Sequence, residues 1–131
     1  MGFPRINGLR GIEFGTAGDF REELIALVLA GKKKATAGLL EWDYQAQDER
    51  LEHVGEKLAV IDSKGQHVAT IQATKVDVVR FADVPDEFAL AEGEGDLSGD
   101  DFREGHYRYW SKQGFEITDD TKIVLLYFEL L

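Results

Sequence analysis

The sequence predicts a mixed α+β domain in which helices flank a small curled sheet or open barrel. Three observations carry that expectation. Residues 19–31, DFREELIALVLAG, repeat apolar side chains at helical spacing. KLAVID and HVATIQA are short β-rich runs joined by SKGQ, whose glycine suits a hairpin turn. The final stretch, KIVLLYFELL, is apolar on both faces and reads as a strand buried within a sheet.

Taken in order, residues 1–13 carry several glycines, a proline and scattered basic residues, and are expected to form a flexible arm before one domain over 14–131. The first helix places Phe20, Leu24, Leu27 and Val28 on one side, with Asp19 as its N-cap and Gly31 as its C′ stop. After GKKKAT, the stretch AGLLEWDYQAQ fits one or two helical turns capped by Thr36. ATKVDVVRF extends or follows the second strand of the hairpin. Pro85 suits the first turn of a helix through Phe88 and Leu90 that ends at Gly93 or Gly95. Ser98 or Asp100 then caps a further helix running to about Lys112.

Composition removes several function classes. The 131 residues include 25 Asp and Glu against 15 Lys and Arg, a formal net charge of −10. So acidic a chain is a poor non-specific duplex DNA binder, because that affinity comes from neutralising many phosphates. A small basic pocket stays compatible with it. Cysteine is absent, which excludes disulfides, thiolate catalysis and cysteine-ligated zinc. No apolar run approaches the roughly 20 residues that span a bilayer, and the N-terminus lacks a secretory apolar stretch, so a cytoplasmic protein with no membrane partner is expected.

Three stretches can carry chemistry. In GKKKAT, three lysines stand side by side in an acidic chain. Lysines just past a helix end complement its carbonyl terminus, but tail stabilisation does not call for three. If the segment were a regular strand, Lys32, Lys34 and Thr36 would face one way and Lys33 the other. If it enters a turn or helix, Lys33 and Thr36 converge, and a lysine crowded by two others can act as base or nucleophile. In AEGEGD, Glu92, Glu94 and Asp96 alternate with glycines, and a carboxylate near the lysines would complete an acid/base pair. The EF-hand pattern fails in either register there, and His53 and His67 show no ligand spacing, so neither metal nor cofactor is expected. In DDFREGHYRYW, Arg103, His106, Tyr107 and Trp110 share a helical stripe, suited to phosphate contact and base stacking, while Phe102 and Tyr109 turn toward the core. A helix whose aromatics merely pack, with His106 a satisfied group at the core edge, would look the same.

LIALVLAGKKKATAGLL, VGEKLAVID, FADVPDEFALAEGEGD and FREGHYRYW together resemble the ASCH domain family, in particular its stand-alone bacterial members. The G-x-K-x-x-T motif falls on Gly31, Lys33 and Thr36. The resemblance implies a PUA-like barrel or curled sheet with flanking helices, and a cleft for a nucleoside, nucleotide or short single-stranded RNA. In one branch a lysine, a threonine and a glutamate are assigned to hydrolysis of the acetyl amide of N4-acetylcytidine. Carried over by motif, these are Lys33 as base, Thr36 as nucleophile and Glu94, with Glu92 as the alternative carboxylate. Lys32, Lys34, Arg103, His106 and Trp110 would then contact substrate, with Trp42 a second stacking candidate. A metal-independent ribonuclease and a non-catalytic RNA-binding module are the other readings that the family offers.

Overall fold

The computed structural model describes residues 2–131. Six strands form one mixed sheet: β1 (Arg5–Ile6), β2 (Leu9–Ile12), β3 (Ala35–Leu39), β4 (Lys57–Ile61), β5 (His67–Arg80) and β6 (Lys122–Leu130). Their order is β1-β2-β4-β5-β6-β3, with β2 and β4 parallel and the other neighbours antiparallel. The sheet is open, and three helices flank it: α1 (Asp19–Leu29), α2 (Asp86–Glu92) and α3 (Gly99–Lys112). This is the α+β architecture expected, as a curled sheet.

β6 explains itself by alternation. Ile123 and Leu125 enter a core with Phe81, Phe88, Phe102 and Trp110, under α2 and α3. Leu126 and Phe128 enter the core on the other face, with Leu24, Val28 and Ile71. A strand covered on both faces cannot alternate apolar with polar, hence KIVLLYF. The hairpin β4–β5 turns at Gly65, which adopts φ 81°.

Three local expectations give way. Residues 5–12 are not a loose arm: Arg10, Gly11 and Ile12 pair with Leu58, Ala59 and Val60, and Arg10 is buried against the Arg50 carbonyl. Only pairing distant in sequence makes so short a strand stable, so local pattern gives no sign of it. AGLLEWDYQAQ begins as β3, whose Thr36 pairs with Leu126, and only then becomes a π-helical turn over Leu40–Tyr44. Thr36 is therefore a strand residue and caps no helix. Asp19 is the first helical residue, and the N-cap is Gly18, whose backbone N–H donates to Ser63 Oγ. Gly31 does close α1 at φ 74°, and Ser98 does cap α3 by accepting from the Asp101 N–H.

Candidate functional site

The lysine loop is built by three neighbours. The Lys33 N–H donates to Leu27 O at the end of α1, the Lys34 N–H donates to Ala91 O in α2, and Lys34 O accepts from the Phe128 N–H in β6. Gly93, at φ 66°, permits the contact with α2: a Cβ there would overlap the Lys32 carbonyl oxygen. The glycine after Glu92 thus lets the acidic loop lie directly on the lysine loop.

Clamped in this way, Lys33 turns inward and is only 2 % exposed. Its Nζ donates to Ala35 O at 2.8 Å and to Glu94 Oε2 at 2.6 Å, lies 3.6 Å from Glu92 Oε2, and sits 5.7 Å from the centre of the Phe14 ring. Lys32 and Lys34 are exposed. The expected crowding of Lys33 by two other lysines is therefore absent, because the neighbours of its Nζ are two carboxylates and a carbonyl oxygen. Residues 32–34 are irregular rather than a strand, which separates the three ammonium groups.

Beside this pair opens a cavity of about 220 Å³, lined by Thr36, Glu92, Glu94, Asp96, His106 and Trp110, with Phe20, Leu24 and Tyr109 supplying apolar wall. Thr36 shares this cavity with the partners of Lys33, although no hydrogen bond joins Thr36 to Lys33 among the described residues. Glu92 is 1 % exposed. Burial pushes its carboxyl up to about 8; Lys33 opposes the shift, and Glu94 and Asp96 add to it. His106 stacks on Phe102 at 3.8 Å between ring centres, and burial pulls its pKa down to about 4, so the imidazole is neutral. The 3.6 Å separation of His106 Nε2 from Glu92 Oε1 is accordingly a contact between uncharged or singly charged groups, not an ion pair.

The structure brings Lys33, Thr36, Glu92, Glu94, His106 and Trp110 together and leaves the other expected contacts outside. Arg103 bonds to Val84 O and Asp100 across Gly99, which fixes the start of α3. Lys32 and Lys34 are exposed and do not line the cavity. Tyr107 is likewise exposed, and Trp42 lies against Phe115 away from the cavity. Sequence reading missed Phe20 and Tyr109 as walls, Phe20 being placed only on a helix side and Tyr109 toward the core; their rings stand 5.7 Å apart. Asp96 was read as part of an acidic run, yet one ligand atom from each of Glu92, Asp96 and His106 lies within 4.8 Å of the others. Their spacing, i, i+4 and i+14, matches no recognised metal motif.

The ASCH domain family model matches residues 11–131, and the chain belongs to that PUA-like, RNA-binding family. An ASCH domain from Lactobacillus crispatus JV V101 superposes with a TM-score of 0.78 at 28% identity, covering 92% of this chain and 77% of that one. A protein from Enterococcus faecalis V583 does so with a TM-score of 0.78 at 29% identity, covering 91% and 74%. A hypothetical protein at 19% identity and TM-score 0.59, covering 84% and 93%, bears on the fold alone. No curated protein sequence matches the chain. Among the described residues, no helix is long and apolar enough to cross a membrane.

Proposed function

We propose that the cavity binds the nucleoside part of a free modified nucleoside or of single-stranded RNA, and that it cleaves an amide on the base. The observation that carries this reading is the buried Lys33–Glu94 pair beside a Thr36-lined, aromatic-walled cavity. Glu92, Glu94 and Asp96 make the interior hostile to phosphate, whereas Tyr109 and Trp110 offer faces to a planar base. A phosphate backbone would stay outside, along exposed Lys32 and Lys34.

In this reading Thr36 Oγ1 attacks the acyl carbon as its proton passes to Glu94, the carboxylate that Lys33 orients. The carbon–nitrogen bond breaks, the proton is returned to the leaving amine, and water then hydrolyses the acyl ester on Thr36. Lys33 serves as orienting ammonium rather than base, because its Nζ hydrogens are directed at Ala35 O and Glu94. The experiment is turnover of N4-acetylcytidine by wild type, Thr36→Val and Glu94→Gln, with folding checked by circular dichroism. Hydrolysis by wild type and a loss of at least about 100-fold in both variants is expected. Equal turnover in all three, or none in wild type, overturns the amide reading.

A further inference from the structure

Among the described residues Glu92 Oε1 has no hydrogen-bond partner, although its residue is buried and lines the cavity beside Asp96 and His106. His106 Nδ1 lies 3.1 Å from Phe102 O. A carbonyl oxygen only accepts, so Nδ1 carries the proton and Nε2 presents its lone pair. That lone pair stands 3.6 Å from Glu92 Oε1. Glu92 Oε1 and that lone pair, too far apart to bond each other, suit a cation held between them, whose binding displaces any proton on the carboxyl.

We infer that Glu92 Oε1, a carboxylate oxygen of Asp96 and His106 Nε2 form a binding site for a divalent transition-metal cation of the zinc or manganese kind. The inference goes beyond the amide reading and does not depend on it. A tetrahedral cation with bonds of about 2.1 Å sets neighbouring ligand atoms about 3.4 Å apart, close to the separation of the Glu92 and His106 atoms. Asp96, on the loop after α2, need close by no more than about 1.4 Å from the 4.8 Å limit of the cluster to meet that geometry. An imidazole that donates Nδ1–H to a backbone carbonyl is already held in the orientation that metal-bound histidines use.

Charge supports the same assignment. Glu92, Glu94 and Asp96 face one ammonium, Lys33, which engages Glu92 through Oε2 and leaves Oε1 free for a second cation. The nitrogen ligand favours zinc over magnesium and calcium, and the two carboxylates also suit manganese. Three protein ligands leave a position open to the cavity for water or a substrate oxygen.

The test is isothermal titration of chelator-treated, dialysed wild-type protein with zinc, manganese and magnesium chlorides at neutral pH. One equivalent of zinc or manganese is expected, with magnesium at least tenfold weaker. Asp96→Asn and His106→Gln are expected to weaken binding about 10–100-fold, while His53→Gln, at an exposed histidine outside the cavity, changes nothing. Absence of saturable heat overturns the inference, as does binding that magnesium matches or that both cavity variants retain. Should those variants not fold, cobalt(II) added to wild type decides: visible absorption saturating at one equivalent supports the site, and its absence refutes it. Amide turnover by protein that binds no metal overturns this inference alone, and metal binding without turnover overturns the amide reading alone.

Discussion

Replacing Lys33 by methionine tests the central contact of the cavity. The change keeps an unbranched side chain one atom shorter and removes one buried charge, leaving Glu94 without its 2.6 Å partner and Glu92 without its 3.6 Å one. Breaking a buried pair by removing one member costs about 3–5 kcal/mol. Two features place this case at the lower end. The Glu94 side chain retains 21% exposure and can be hydrated, and Glu92 can hold a proton at neutral pH. With about 2.1 cal/mol/K of unfolding entropy per residue, a 131-residue chain has about 275 cal/mol/K, so about 3 kcal/mol lowers the midpoint by about 11 °C. Circular dichroism melts of wild type, Lys33→Met and Lys33→Met/Glu92→Gln measure this. The double variant is expected to regain part of the loss, because the amide needs no counter-charge. A single variant within about 2 °C of wild type would show that Lys33 is not held in a buried ion pair.

Gly93→Ala is expected to lose about 2 kcal/mol or more in urea unfolding, since the left-handed backbone and the overlap with the Lys32 carbonyl both act against a Cβ. Tyr44→Phe deletes the hydroxyl that donates to buried Glu52 Oε1 at 2.8 Å, and about 1.5–3 kcal/mol should be lost in the same assay. Leu125→Ala, in the core under α2 and α3, is expected to cost about 2–5 kcal/mol by thermal melting. If Lys32 and Lys34 are the backbone contacts, single-stranded RNA affinity should fall with a log–log salt slope of about −1.4, roughly sevenfold between about 50 and 200 mM salt. Fluorescence anisotropy checks that slope, and a value near zero or steeper than about −3 contradicts the two-phosphate account.

What the chain disclosed in advance followed from how local each signal was. α1, the β4–β5 hairpin, the Ser98 cap and the two-faced β6 depend on residues close in sequence, and all four are present. β2 and β3 draw their stability from β4 and β6, so local reading turned one into an arm and the other into a helical start. Within the site, the G-x-K-x-x-T motif marked the buried lysine, whereas its neighbours do not line the cavity. Lys32 and Lys34 follow the chain outward because the backbone at Lys33 and Lys34 is fixed by Leu27, Ala91 and Phe128. Arg103, on the stripe suited to a ligand, is instead tied to Val84 and Asp100, the first a partner that helical spacing does not reveal. The closeness of Asp96 to His106 depends on how α2 and α3 fold back on each other, which no spacing rule encodes.

The threefold backbone clamp on residues 33–34 has an evolutionary corollary. Lengthening the chain by one residue between Gly31 and Ala35 would throw helix, acidic loop and sheet out of step at once, whereas the exposed Lys64–Gly65 turn could absorb an insertion. Relatives that diverge in sequence are therefore expected to vary freely in hairpin length yet keep the count of residues across the lysine segment fixed.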